Sequence, residues 1–189
     1  GAKIYPSDGC GTILKLDDFG HVTLITGASE IGQGSETVLS QLVCEELGLP
    51  MSAVSVVNND TDITPWDVGV HASRTTFIAG NSAIGAARKA RAKILAAAAT
   101  KFDVADPDDL ALAGGRIVRR ATGEALSDLA RFLRGLHFSD RAELVMTTFY
   151  YEPPSVHQDK GFKGDVSAAY AWAAQVVEVE VDTATGVVR

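Results

Sequence analysis

The stretch from Ser35 to Pro50 limits the possible folds more than any other. Val38, Leu39, Leu42, Val43 and Leu47 recur at helical spacing, and Gly48 followed by Pro50 ends the pattern. Ser35 suits the N-cap, where a hydroxyl can accept a backbone N–H. A helix with one apolar face has to bury it, and the flanking segments offer a sheet to receive it. Gly11 to Leu16 (GTILKL) and His21 to Thr26 (HVTLIT) are β-prone and are joined by Asp17-Asp18-Phe19-Gly20, which predicts an antiparallel hairpin. Val54 to Val57 (VSVV) reads as a short buried strand after the helix.

Further along, Phe77 to Lys101 is rich in alanine and predicts one long helix. Gly80 and Gly85 fall in its first turns, where they cost stability relative to alanine, so close backbone packing is expected there. Leu112 to Arg119 suggests a small hairpin around Gly114-Gly115, and Leu126 to Leu136 a helix capped near Ser127. Glu143 to Tyr151 (ELVMTTFYY) is β-prone, Glu152 to Gly164 has the composition of a long surface loop, and Tyr170 to Val181 reads as a strand whose later half alternates. Asp182 to Arg189 begins a hairpin. The expectation is an α+β fold: a two-layer α/β sandwich with a mixed sheet and helices on one face, spanning residues 1–189 in two lobes, 1–102 and 103–189. Because the chain starts at Gly1 and stops inside a hairpin, it reads as a fragment or a processed subunit.

Composition removes several function classes. A net charge of −7 and a pI near 5.0 argue against general nucleic-acid binding, which shows as a basic face. Arg88, Lys89, Arg91 and Lys93 lie on the alanine-rich helix and read as a solvated face. The longest apolar run, Ile94 to Ala99, is far short of the ~20 residues of a spanning helix, so no membrane partner is expected. Cys10 and Cys44 are too far apart for a C-x-x-C motif; Cys44, among Leu42, Val43 and Leu47, reads as a core thiol, and a reducing cytoplasmic setting follows as the default. His21, His71, His137 and His157 show no ligand spacing, so no protein-built metal site is expected. Asp60, Asp62 and Asp67 lack the glycine and glutamate of a calcium loop and suit Asx-turns in a polar loop. G-x-G-x-x-G, Walker A and G-x-S-x-G patterns are absent.

Two segments carry the chemistry. Glu30-Ile31-Gly32-Gln33-Gly34-Ser35 sets an amide between two glycines at a helix start, where unpaired N–H groups favour an anion. His71-Ala72-Ser73-Arg74-Thr75-Thr76 gathers a guanidinium and three hydroxyls just before the long helix, which suits a phosphate. Gly-x-Gly also serves ordinary tight turns, and a Ser/Thr cluster before a helix also serves as capping.

The wording of the two segments goes further. GASEIGQGSETVLSQLVCEELGLP from Gly27 to Pro50, followed by VVNNDTDITPWDVGVHASRTTFIAGNSA from Val56 to Ala83, resembles the molybdenum-binding large subunit of the xanthine dehydrogenase and aldehyde oxidase family. Within that family it is most similar to bacterial multi-subunit hydroxylases and to the 4-hydroxybenzoyl-CoA reductase branch. The YEPP loop and AYAWAAQVVEVEVDTATG are similar to the same family. The resemblance implies an oxidoreductase whose molybdenum is held by the dithiolene of molybdopterin rather than by protein ligands. It implies cofactor contacts at Gly32, Gln33, Gly34, Ala72, Ser73, Arg74, Thr75 and Thr76, a cytosine dinucleotide form of the cofactor, and a parent complex with 2Fe-2S and FAD subunits acting on a small molecule. It places the cofactor end of the subunit against Gly80 and Gly85. The family's catalytic glutamate would lie beyond Arg189, so no catalytic residue is assigned and the isolated chain is expected to be inactive. A non-catalytic module that holds or delivers molybdopterin is the alternative.

Overall fold

Strands β1 (Cys10–Leu16) and β2 (Val22–Thr26) form the expected hairpin, paired from Leu16 with Val22 to Thr12 with Thr26 in the computed structural model, which describes residues 5–139, 144–170 and 174–189. Helix α1 (Ser35–Leu47) follows and returns the chain so that β3 (Val54–Val57) can lie parallel to β2. A parallel neighbour needs such a crossover, and the helix supplies it. The long helix α2 (Thr75–Lys101) begins two residues earlier than its alanine-rich pattern suggests. Strand β7 (Met146–Tyr151) closes the sheet antiparallel to β1, giving the order β3-β2-β1-β7. The expected start of that strand at Glu143 lies outside the described residues.

The period of two decides the faces of this sheet. Leu14, Leu16, Val22 and Leu24 are fully buried beneath α1 and α2, together with Leu39, Val43 and Leu47 of α1 and Ala83, Ala87, Ala90 and Ile94 of α2. Met146 and Tyr150 point the other way and are exposed. The fold is therefore α+β, with a mixed sheet carrying helices on one face.

Packing also explains the two helix glycines. A Cβ on Gly85 would sit 2.4 Å from the Phe149 ring of β7, and one on Gly80 would sit 3.0 Å from Leu42 of α1. The close backbone packing expected at these glycines is thus against the sheet and against α1. The register of α1 on α2 gives their direction. Gly80 meets Leu42, while Arg88 and Arg91 reach Glu46 at 2.8 and 3.0 Å, so the helices run parallel. Both helix starts consequently lie at one end of the sheet, beyond the C-terminal ends of β2 and β3.

A second, three-stranded sheet is built from β4 (Leu110–Ala113), β5 (Arg116–Arg119) and β6 (Ala125–Asp128), followed by α3 (Leu129–His137). The helix expected from Leu126 starts later because residues 125–128 pair with β5, and the cap is Asp128, whose carboxylate accepts the Arg131 N–H at 3.0 Å, rather than Ser127. Leu129, Phe132 and Leu133 of α3 join the same buried cluster as α2.

The strand expected over Tyr170–Val181 does not form among the described residues, and its positions 171–173 lie outside them. An alternating segment makes a strand only where a partner completes its ladder. Here Val176 is 99% exposed and pairing begins only at Glu180 and Val181, in a small hairpin with Val188 and Arg189.

Candidate functional site

Arg74 sits at the start of α2 and is 1% exposed, the largest fully buried side chain in the described chain. Its guanidinium faces inward. Nε donates to Asp8 Oδ1 at 2.8 Å, Nη2 donates to the carbonyls of Asp8 and Gly9 at 2.8 and 3.0 Å, and Nη1 donates to Asp67 at 2.8–2.9 Å and to the Gly69 carbonyl at 2.9 Å. A guanidinium carries five N–H donors, and this set uses all of them. The hydrogen bonding that the sequence suggested Arg74 would offer to a phosphate is directed at the protein itself.

The segment before Arg74 is a tight turn closed by the Arg74 N–H on the His71 carbonyl at 3.1 Å. Its two central residues, Ala72 and Ser73, have φ of 49° and 56°. Left-handed conformations at both centres define a type I′ turn, normally made by glycine or asparagine, and each non-glycine residue there stores about 1–2 kcal/mol. Ala72, Ser73 and Thr76 are exposed, while Thr75 is buried. The first helical bond of α2 runs from Ile78 to the Arg74 carbonyl, so the N–H groups of Thr75, Thr76 and Phe77 have no partner within the helix, and α2 has no side-chain cap. An αL residue followed by an αR residue at a helix start makes a concavity of N–H groups suited to an anion.

The start of α1 is arranged differently. The Glu30 carboxylate accepts the N–H of Gly32 at 2.7 Å, of Gly34 at 3.0 Å and of Glu36 at 3.2 Å, and the Ser35 hydroxyl at 3.0 Å. The anion expected at this helix start is therefore the protein's own. The bond from Gly34, then those from Glu36, Ser35 and Gly32, hold the Glu30 carboxyl down to about 2 from the usual 4.5. Gln33 is also engaged: Oε1 accepts the Ile31 N–H at 2.7 Å and Nε2 donates to the Ser29 carbonyl at 2.9 Å. Gly34, in the left-handed region at φ 79°, takes the N-cap position expected of Ser35.

A pH dependence follows from Glu30. Folding lowers this carboxyl, so its contribution to loop order is complete above about pH 4.5 and is lost as the pH falls toward 2. The amide resonances of Gly32 and Gly34 should titrate with a midpoint near 2 rather than near 4.5. A Glu30→Gln chain should show no such titration.

Asp8 and Asp67 are buried partners of Arg74 that neither the 30–35 nor the 71–76 segment contained. Asp67 accepts the Gly69 N–H at 2.8 Å in an Asx-turn, as the loop composition suggested, but its carboxylate also lies buried against Arg74. Its loop is pressed against the sheet, where Gly11 donates to the Trp66 carbonyl at 2.8 Å and a Cβ on Gly27 would fall 2.3 Å from the Pro65 carbonyl. Asp8 is tied to the end of β7, since its N–H donates to Glu152 at 3.0 and 3.2 Å. Beside them, burial first and then the Asp67 carboxylate push the Cys10 thiol up to about 12, so it is an inert core thiol. Cys44 is likewise buried and raised by burial.

Both ring nitrogens of His71 are buried and lack a hydrogen-bond partner among the described residues; the ring meets Tyr5 edge-on at 6.0 Å. Buried polar atoms without partners cost stability unless a ligand satisfies them. The unpaired N–H groups and exposed hydroxyls at the start of α2 fit a phosphate-bearing ligand. No group of three or more His, Cys, Asp or Glu side chains that could hold a metal ion occurs among the described residues.

Two parallel helix starts thus lie over the C-terminal ends of β2 and β3, and at the start of α2 the N–H groups are without helical partners among the described residues, the geometry of an anion site. Residues 2–189 match the molybdopterin cofactor-binding domain family, and the chain belongs to it. The 6-hydroxypseudooxynicotine dehydrogenase complex subunit gamma of Paenarthrobacter nicotinovorans is 34% identical over 176 residues, 92% of this chain and 21% of that subunit. The probable hypoxanthine oxidase of Escherichia coli strain K12 is 32% identical over 184 residues, 96% of this chain and 18% of that protein. Among solved structures, reconstituted CO dehydrogenase from Oligotropha carboxidovorans superposes with a TM-score of 0.69 at 28% identity, covering 77% of this chain and 18% of the other. The chain thus spans about a fifth of the length of these relatives.

Proposed function

We propose that this chain is the cofactor-binding portion of the large subunit of a molybdenum hydroxylase-type oxidoreductase. In this reading Gly32, Gln33, Gly34, Ala72, Ser73, Arg74, Thr75 and Thr76 form the cofactor-binding segments. The observation that carries it is the start of α2, where the N–H groups of Thr75, Thr76 and Phe77 have no helical partner and the hydroxyls of Ser73 and Thr76 are exposed beside them. These groups would hold the phosphate of a pterin cofactor, the cytosine dinucleotide form being the one we infer. When bound, that cofactor supplies the redox-active molybdenum. The residues of this chain bind and orient it; the loop of Gly32-Gln33-Gly34, held rigid by Glu30, forms a second wall at the same end of the sheet. The parent complex would contain 2Fe-2S and FAD subunits, act on a small molecule and reside in the cytoplasm. This isolated segment would have no turnover of its own. That relatives are named as complex subunits and oxidases supports the reading.

The test is elemental and pterin analysis of the full-length protein purified with its native partners. The double variant Ser73→Ala/Thr76→Ala removes two exposed hydroxyls without touching the core, and it should lower the retained molybdenum and pterin by about ten-fold, the scale of one or two lost hydrogen bonds to a charged group. Unchanged content would sink the reading. Pterin retained without any redox subunit would mark a binding or delivery module instead.

A further inference from the structure

We infer that Arg74, Asp8 and Asp67 are positioning residues, which act on the phosphate of the ligand only by holding the Ala72-Ser73 turn open. This inference rests on the cofactor reading above. Three observations carry it. The first is that the guanidinium has no donor left: every N–H is directed to Asp8, Gly9, Asp67 or Gly69 at 2.8–3.0 Å, from beneath the turn. The second is that the turn is strained, with two consecutive non-glycine residues in the left-handed region, so something has to over-determine it. Arg74 is the residue that ends this turn, and its side chain is anchored to two separate stretches of chain: residues 8–9 and the turn of Asp67 and Gly69. The third is charge. Two buried carboxylates around one guanidinium leave the cluster net negative, and the α1 start is already filled by Glu30, so the described site offers a phosphate only neutral N–H and O–H donors plus the dipole of α2. A cation placed to bind phosphate would not be surrounded by two carboxylates at 3% and 1% side-chain exposure.

A direct contact and a positioning role predict opposite outcomes when Arg74→Lys is combined with Ala72→Gly. Lysine keeps the positive charge and can serve as a point-charge phosphate ligand, but one ammonium cannot reach Asp8, Gly9, Asp67 and Gly69 together. Were the guanidinium in contact with phosphate, lysine would keep only a point-charge contact and Ala72→Gly would recover nothing of the loss. In the positioning role the turn relaxes and binding falls by about ten-fold, the scale of a strain of 1–2 kcal/mol per residue no longer being enforced. Ala72→Gly then provides the decisive rescue. Glycine adopts φ of 49° freely, so it should restore retention in the Arg74→Lys background to within about three-fold, although it returns no charge and no hydrogen bond.

The experiment measures molybdenum by elemental analysis and released pterin by fluorescence in the full-length protein with its partners. It compares the unsubstituted protein, Arg74→Lys, Arg74→Lys/Ala72→Gly and Ala72→Val. The expected result is loss, rescue and loss, respectively. Ala72→Val tests the turn with the clamp intact, because a β-branched side chain resists positive φ at an exposed position where folding is not at stake. Retention in Arg74→Lys, or failure of glycine to rescue, overturns the inference. If Arg74→Lys does not fold, full retention in Ala72→Val overturns it alone. An unsubstituted protein without pterin would instead overturn the cofactor reading itself.

Discussion

Arg74→Met lowers the stability of the fold by about 3–5 kcal/mol, the cost of breaking a buried ion pair from one side. Methionine fills much of the same volume and could pack well, so the loss does not come from a cavity. It comes from Asp8 and Asp67, whose carboxylates lie 2.8 Å from Nε and Nη1 and would be left facing each other in the interior without a counter-charge. The carbonyls of Gly9 and Gly69 lose their donors at the same time. Chemical denaturation read by tryptophan fluorescence should show a lower midpoint at an unchanged slope. Adding Asp8→Asn and Asp67→Asn to Arg74→Met should recover more than half of the loss, because neutral amides remove the repulsion. A loss below about 1 kcal/mol would show that the cluster is far more hydrated than its burial implies.

Phe132→Ala has an effect of similar size, about 3 kcal/mol or more, at the opposite end of α2. The ring is 1% exposed, packs at 6.1 Å from Phe102 and lies under the Lys101 ammonium at 5.3 Å. With Leu129 and Leu133 it is one of the buried side chains by which α3 joins the cluster at the end of α2. A groove of about 380 Å³, lined by Ala97, Thr100, Gly135 and Leu136, already borders this ring. Truncation would open the new space into that groove, so water can enter, and the loss should sit at the lower end of the range for a phenylalanine. Hydrogen exchange should quicken across Leu129–His137 while the amides of β1 and β2 keep their protection. Uniform quickening would mean that α3 and the four-stranded sheet unfold as one unit.

The parts legible in the sequence were those governed by local rules. Helix α1 and β3 carry their own period and stop signals, and Gly48 in the left-handed region ends α1 as expected. Both segments of the proposed site stood out because residues close in sequence are also close in space at a helix start. What the sequence hid were the long-range partners. Asp8 reaches Arg74 across 66 positions, and Asp67 looked like one more polar loop residue, because a lone carboxylate in a loop has no period to betray it. Glu30 was visible as part of the motif, but not that its carboxylate would turn back onto Gly34 and Glu36. The helix expected from Leu126 shows the reverse effect, since pairing of residues 125–128 with β5 overrode a good helical pattern. Alternation in Val176–Val181 reports a capacity to pair, and a ladder forms only if a neighbour is present.

Glu30 also makes the two helix starts unequal. Both point to the same edge of the sheet, but one is chemically satisfied from within and the other is not. A symmetric pair of dipoles would accept an elongated anion in either direction. In the proposed site the phosphate-bearing part of a ligand would be drawn to α2, and the same charge set at α1 would meet a carboxylate. An internal side chain thereby gives the edge a polarity, and a two-ended ligand bound there would have one favoured way to lie along it.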